Sequence, residues 1–163
     1  MIDHSRAHGL ALVIAAGLAA GSWPSAAAEP MVIELTQTGC QFVESEGAVD
    51  HGFKTASAAD CNAINERTGA DRLAKARTLE LTPGTYVFRV TNRDVPYELG
   101  FWLRDRDYDW RNPLHKLTKT SVSGGGLVMG KTQSYEVELK PGEYLYSCPL
   151  NPTPDYRLVV KGD

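Results

Sequence analysis

Two segments of the chain share one pattern, in which a strand of alternating side chains meets a Pro-Gly turn and a second alternating strand leaves it. Residues 79–88 carry this pattern, and residues 137–146 repeat it around the same Pro-Gly pair. Proline presets φ in such a turn, and glycine accepts the positive φ of a type II turn. Because alternation with a period of two is typical of strands, the repeat predicts two hairpin-like corners of the same design.

Other parts of the chain also have the character of short strands. They lie at 31–36, at 97–103 and at 114–122, where an edge strand is expected before a flexible glycine run at 124–126. Six or seven short strands with regular turn signals are typical of a sandwich. We therefore predict an all-β, Greek-key β-sandwich. The strand residues expected to face its core are Val32 or Ile33, Leu79, Leu81, Tyr86, Phe88, Val90, Leu99, Phe101, Val137, Leu139, Tyr144 and Tyr146.

The segment 41–77 differs from its surroundings because it is polar and carries a helical pattern. Ser57 is the expected N-cap of a helix that stops at Gly69, and a second helical piece is expected at 70–76. The flanks of this segment are strand-like. We interpret it as a helical insertion between the first two strands.

The first 28 residues are predicted to be a signal peptide. Arg6 precedes an apolar stretch at 9–20, and three alanines at 26–28 form a small-residue cleavage site. The apolar stretch is too short to span a bilayer, so no retained membrane anchor is expected. Export to a periplasm would leave 135 of the 163 residues, at 29–163, which is enough for one domain and too few for two.

Charge and motifs exclude several function classes. The net charge is −3, and lysine and arginine are scattered, so no nucleic-acid partner is expected. The sequence has no nucleophile elbow, no zinc-binding His-Glu helix motif and no P-loop. We therefore expect no enzymatic activity, apart from the alternative of a metal-dependent oxidase of ferrous iron.

The end of the chain has the layout of a metal-binding loop. A turn and a strand lead to Cys148, a short Pro-rich loop follows, and a return strand begins near residue 156. This layout resembles the copper loop of cupredoxins, and the corner at 87–92 followed by Pro96 extends the likeness. Apart from the insertion, nearly all of 29–163 resembles the cupredoxin-like domain of EfeO-type periplasmic iron-uptake proteins.

The sequence departs from the cupredoxin pattern at the copper ligands. A type 1 copper site needs two histidines beside the cysteine. Here Tyr97 or Glu98 stands in the first histidine slot, and Asn151, followed by Asp155 or Tyr156, stands in the slots after the cysteine. An ordinary type 1 copper centre is therefore not expected.

The resemblance to the EfeO-type domain implies a different ligand set, formed by Cys40, Glu98 and Cys148. Two thiolates and a carboxylate suit copper or iron. Glu98 can instead lie on the solvent face, since a carboxylate on a strand needs no function there. Tyr97 points to the opposite side of the strand, so only one of the two side chains can reach the site. Further candidate ligands are His51, His115 and Met129.

Three cysteines in an oxidising compartment leave one without an intramolecular partner. A disulfide between Cys40 and Cys61 would pin the insertion, whereas one between Cys40 and Cys148 would close the predicted metal site. Free or metal-bound thiols are the third possibility.

A run of mixed charge and aromatic residues at 104–111 is a candidate docking loop. Tyr108, Trp110 and Arg111 belong to the residue types that dominate interface hot spots. The alternative is a solvated hairpin tip.

Two functions fit these observations. One is a periplasmic cupredoxin-like protein that binds copper or iron for metal handling or electron transfer, with a periplasmic redox or metal-transport partner. The other is a metal-free, disulfide-stabilised interaction module of the same fold.

Overall fold

Alternating side chains build most of the regular structure. The computed structural model describes residues 29–162, and the predicted signal peptide at 1–28 lies outside this range. The described residues form nine strands, two α-helices and one 3₁₀ turn. In chain order these are β1 (Met31–Thr38), β2 (Gln41–Phe42), the 3₁₀ turn (Glu44–Glu46), α1 (Ala58–Lys75), β3 (Leu79–Leu81), β4 (Gly84–Asn92), β5 (Leu99–Asp105), α2 (His115–Thr118), β6 (Ser121–Leu127), β7 (Thr132–Leu139), β8 (Gly142–Ser147) and β9 (Tyr156–Val160).

The strands form two mixed sheets around one core. One sheet has the order β2-β1-β4-β7, and the other has the order β3-β9-β8-β5-β6. Neighbours are antiparallel except for two parallel pairs, β1 with β4 and β3 with β9. In the first parallel pair, Met31 lies opposite Tyr86 and Gln37 lies opposite Asn92. This mostly β architecture is compatible with a β-sandwich.

Aromatic rings from both sheets meet in the core. Phe88 of β4 stacks on Phe101 of β5 with ring centroids 5.4 Å apart. The residues predicted to face inward on β4, β5, β7 and β8 are buried, while the two leucines of β3 are partly buried and pack against the core. At the start of β1, Ile33 packs against the core and Val32 is 51% exposed, so Ile33 is the inward-facing residue of the two.

The two Pro-Gly segments are corners between the sheets. The first leads from β3 to β4, and the second leads from β7 to β8, so they cross between the sheets in opposite directions. In each corner a tyrosine hydroxyl donates to a carbonyl four residues earlier, from Tyr86 to Thr82 and from Tyr144 to Lys140, both at 2.8 Å. The hairpin-like pairing was a wrong prediction, because the strands on either side of each turn belong to different sheets.

The insertion contains one continuous helix, where the sequence predicts two pieces. Ser57 begins α1 as predicted, and the Asp60 carboxylate accepts its backbone N–H at 3.0 Å. Gly69 lies buried inside the helix, where an added Cβ would come within 3.3 Å of the Asn65 Cβ. A glycine costs a helix about 1 kcal/mol, and contacts of α1 with the rest of the molecule outweigh that cost.

The predicted edge strand at 114–122 is partly wrong. The helix α2 occupies its first half, because the Asn112 carboxamide accepts the backbone N–H of Leu114 at 3.0 Å and starts a turn. One of the two edge strands of this sheet is β6, which includes the glycine run that the sequence predicts to be flexible. Among residues 29–162, no helix is long and apolar enough to cross a membrane.

Candidate functional site

Cys148 follows β8 and is enclosed by the protein at the start of the Pro-rich loop. It is 1% exposed, and its sulfur accepts the backbone N–H groups of Gly100 at 3.3 Å and Asn151 at 3.2 Å. Burial raises the pKa of the thiol, because a thiolate would lose its hydration, and these N–H groups offset only part of the effect. Cys148 is therefore a neutral, enclosed thiol at pH 7.

The Gln37 side chain approaches the same sulfur from β1. Gln37 is fully buried, and its Nε2 donates to the carbonyl of Gly100, the residue whose backbone N–H donates to the Cys148 sulfur, at 2.7 Å. Within residues 29–162, its Oε1 is the one buried side-chain nitrogen or oxygen without a hydrogen-bond partner. The surroundings of the thiol are therefore formed by amide groups and not by charged ligands.

A disulfide joins Cys40 to Cys61, and Cys148 is free, as the pairing that pins the insertion predicts. The alternative pairing of Cys40 with Cys148 is therefore wrong. Since the Cys40 sulfur is bonded to Cys61, it has no thiolate to offer a metal ion beside Cys148. The predicted ligand set of Cys40, Glu98 and Cys148 therefore lacks the Cys40 thiolate.

Asn151 connects the free thiol to the disulfide. Its backbone N–H donates to the Cys148 sulfur, and its Oδ1 accepts the backbone N–H of Cys40 at 3.1 Å and lies 3.0 Å from the Cys61 sulfur. Its Nδ2 donates to the Thr38 carbonyl at 2.9 Å. The resemblance to a copper loop puts Asn151 at a ligand position. In the structure its contacts tie the Pro-rich loop to β1 and α1.

The residues at the other predicted ligand positions also make structural contacts. Asp155 pairs with Arg104 at 2.8 Å, and the Tyr156 hydroxyl donates to Glu46. Tyr97 reaches this end of the molecule, where its hydroxyl donates to Asn151 Oδ1 at 3.0 Å. Each of these three side chains is therefore held by residues other than Cys148.

The remaining predicted ligands lie in separate places. Glu98 is exposed and accepts the backbone N–H of Gly126 at 2.6 Å, in agreement with the solvent-face alternative. His51 contacts Glu46, whereas the His115 Nδ1 accepts a backbone N–H at 2.9 Å. Met129 is 57% exposed.

The donor set around Cys148 does not fit the predicted copper or iron ion. Such ions take imidazole, thiolate or carboxylate ligands. Nowhere in the described part of the chain do three or more His, Cys, Asp or Glu side chains form a group that could hold a metal ion. Cys148 offers one sulfur, beside the amide of Gln37.

Thiol titration distinguishes these cysteine states. In the folded protein without reductant, we expect Cys148 to react with a maleimide or an aromatic disulfide reagent at least about 100-fold slower than an exposed cysteine, because it is buried and protonated. After denaturation without reductant, one thiol per chain should react, and mass spectrometry should map it to Cys148. A Cys148→Ala variant should give none, and labelling at Cys40 would contradict the pairing.

A buried ion pair joins the 3₁₀ turn to α1 within the insertion. The Glu46 side chain is 3% exposed and that of Arg72 is 6% exposed, and the Arg72 Nη2 and Nε donate to the carboxylate at 2.7 and 2.9 Å. Arg72 also donates to Asn65 and to the Cys40 carbonyl. The two residues stand 26 positions apart, so no local pattern reveals the pair.

Glu46 is ionised at a lower pH than an ordinary glutamate. Burial by itself would raise the pKa of Glu46, but hydrogen bonds from Arg72 and Tyr156, the Arg72 charge and the contact with His51 lower it below 4.5. A lowered pKa means that the folded state holds the proton less tightly than the unfolded state. The stabilisation is thus present above pH 4.5 and disappears as the pH falls through the folded-state pKa.

The pH dependence of folding provides a test. We expect the free energy of unfolding to fall as the pH is lowered from about 5 to about 3, with a smaller slope in a Glu46→Gln variant. Urea unfolding at each pH measures this slope. Asp60 and Asp107 also have lowered pKa values, from backbone hydrogen bonds and from a hydrogen bond with Lys119, respectively. The comparison with the variant isolates Glu46, and identical slopes would contradict its role.

The connection between β5 and β6 presents apolar side chains to solvent. We call residues 106–119 of this connection the docking loop, because they contain most of the candidate docking run at 104–111. Trp110, Leu114 and Leu117 are 61%, 64% and 84% exposed. Tyr108, by contrast, is half-buried, with its ring edge-on to Trp102. Arg111 lies over the Trp110 ring at 5.4 Å, so of the three predicted docking residues Trp110 and Arg111 face outward.

The docking loop is ordered by its own polar groups. The Asp109 backbone N–H donates to the His115 ring at 2.9 Å, and the Asp109 carboxylate accepts the N–H of Arg111 at 2.9 Å. Lys119 pairs with Asp107 at 2.6 Å. The exposed apolar side chains therefore project from a structured loop.

No family model matches the sequence, and no curated protein matches it.

Proposed function

We propose that this chain is an exported, metal-free interaction module with a Greek-key, cupredoxin-like fold, which binds a protein partner through the docking loop. The observation that carries the proposal is the exposure of Trp110, Leu114 and Leu117 on one ordered loop. Several exposed large apolar side chains on one loop are a feature of interaction sites. Export to a periplasm rests on the predicted signal peptide.

An ordered loop favours binding because less conformational entropy is lost on association. Hydrogen bonds within the docking loop and the Lys119–Asp107 pair already fix its backbone. Trp110 supplies a large, rigid surface, and Leu117 is the most exposed of the three side chains. The loop therefore combines a residue type common at hot spots with a low loss of conformational entropy on binding.

Charge indicates the chemistry of the partner. Arg106 pairs with Glu143 and Lys119 pairs with Asp107, whereas Arg111 and Lys116 form no ion pair within the described residues. Two cations beside an apolar cluster fit a protein surface that has an apolar groove edged by carboxylates.

The fold part of the proposal has its own support. Two corners cross between the sheets, and β1 pairs in parallel with β4. Cys148 directly follows β8, as the resemblance to a copper loop predicts, and Asn151 and Tyr156, at the other predicted ligand positions, make structural contacts. A sandwich that keeps this loop without the ligands suits a scaffold role.

Exchange of the docking residues tests the proposal. A photo-reactive residue in place of Leu117 should crosslink one periplasmic protein, and the same residue in place of Met129 should not. With the purified partner, Trp110→Ser combined with Leu117→Ser should raise Kd at least about thirtyfold, as expected for loss of about 2 kcal/mol at a hot spot. Calorimetric titration measures Kd.

The matched control removes two other exposed apolar side chains. Val128 and Met129 are 48% and 57% exposed, and their replacement by serine should leave Kd unchanged. Both double variants should melt at the wild-type temperature because the four side chains are exposed. Equal Kd values for wild type and the docking-loop variant would refute the proposal.

Metal binding through Cys148 stays a prediction that the same protein can test. Copper or iron is added to the reduced protein, and bound metal is measured after gel filtration. Our proposal expects no stoichiometric uptake. Stoichiometric uptake that is lost in a Cys148→Ser variant would replace the interaction module with a metal-handling protein.

A further inference from the structure

A cleft lies between the segment that follows the 3₁₀ turn and one face of α1, away from the docking loop. It encloses about 610 Å³, within the range of small-molecule sites. Side chains that line it include Val49, His51, Phe53, Arg67, Asp71 and Lys75. Nothing in the proposed function uses this cleft.

The inner wall of the cleft is rigid. The Arg72 guanidinium lies over the Phe53 ring at 5.0 Å, and its N–H groups are engaged by Glu46, Asn65 and the Cys40 carbonyl. The His51 ring stacks on Phe53 with centroids 5.4 Å apart. The wall therefore offers an aromatic surface that is preorganised, while Arg72 itself is not free to bind a ligand.

The rim of the cleft carries cations without partners. Arg67, Asp71 and Lys75 are spaced by four residues, so they share one face of α1. None of the three forms an ion pair within the described part of the chain, and all three are exposed. With Arg72 and Glu46 included, three cationic and two anionic side chains line the cleft, in a chain whose net charge is −3.

We infer that this cleft binds a small aromatic monocarboxylate. The aromatic ring packs against Phe53 and Val49, and the carboxylate binds Arg67 or Lys75 to one side of Asp71, where charge-assisted hydrogen bonds are available. Asp71 stands between the two cations and disfavours a second negative charge on the ligand. This inference goes beyond the docking of a protein partner and does not depend on it.

Benzoate is the probe for the test. Titration into the ¹⁵N-labelled full chain should give saturable shifts confined to the amides of 49–53 and 67–75. Benzyl alcohol, which has the ring without the charge, should bind at least about tenfold more weakly, because charged hydrogen bonds are lost. An Arg67→Gln/Lys75→Gln variant should weaken benzoate binding by about the same factor.

A matched variant removes the same charge elsewhere. Lys131 and Lys140 are exposed and form no ion pair within residues 29–162, so their replacement by glutamine should leave benzoate binding unchanged. Both variants should melt as the wild type does. The inference is overturned if benzoate gives no saturable shifts in the cleft, if Arg67→Gln/Lys75→Gln binds as the wild type, or if both variants weaken binding equally.

Discussion

Replacement of Arg72 by methionine is expected to lower the free energy of unfolding by about 3–5 kcal/mol, the usual cost of leaving a buried charge without its partner. Glu46 would keep its carboxylate in a site where it is 3% exposed. Asn65 and the Cys40 carbonyl would also lose a donor. Urea unfolding at pH 7, followed by circular dichroism, measures the change.

Two controls separate the buried pair from a general effect of charge. Arg89 pairs with Glu34 at the surface, where the two side chains are 50% and 60% exposed, so Arg89→Met should cost at most about 1 kcal/mol. Arg72→Met combined with Glu46→Leu should destabilise less than Arg72→Met alone, because no charge remains buried. Equal losses for Arg72→Met and Arg89→Met would contradict the role of the pair.

Removal of the disulfide is expected to have the second large effect. The bond joins residues 21 positions apart, and replacement of Cys40 and Cys61 by alanine should lower the free energy of unfolding by about 3 kcal/mol. The main reason is that the unfolded chain gains conformational freedom. Unfolding in urea without reductant measures the difference between the wild type and the double variant.

Reductant provides the matched control for this experiment. Wild-type protein that is unfolded and refolded with reductant should approach the stability of the Cys40→Ala/Cys61→Ala variant, and the variant itself should not respond to reductant. Cys148→Ala keeps the disulfide and should keep its response to reductant. A double variant as stable as the wild type would show that the bond does not stabilise the fold.

Local sequence patterns predicted most of the sheet structure. The inward alternation at Tyr86, Phe88 and Val90 is set by a period of two, which the sequence displays directly. The tyrosines of the two corners also follow a local spacing. By contrast, which sheet each strand joins depends on pairing with distant strands, and therefore the corners were interpreted as hairpins.

The candidate site was predictable only in part. The pairing of Cys40 with Cys61 is one of three alternatives that the sequence leaves open, favoured by the need to pin a long insertion, and the flanking strand and loop single out Cys148. The sequence shows that Asn151 is not a usual copper ligand, but it does not predict what Asn151 contacts. Its contacts with β1 and the disulfide join positions about 90 to 113 residues apart. Contacts over such distances leave no periodic signal in one sequence.

The enclosure of Cys148 bears on how the chain acquires its covalent structure as it folds. Loop-closure entropy favours Cys40 with Cys61 over Cys40 with Cys148, whose loop is about five times longer, by roughly 1.4 kcal/mol. Once the two sheets have folded around the core, the Cys148 sulfur is out of reach of oxidants and of other thiols. Mispaired chains should therefore arise mainly during the interval before folding, and a destabilised variant that prolongs this interval should accumulate them.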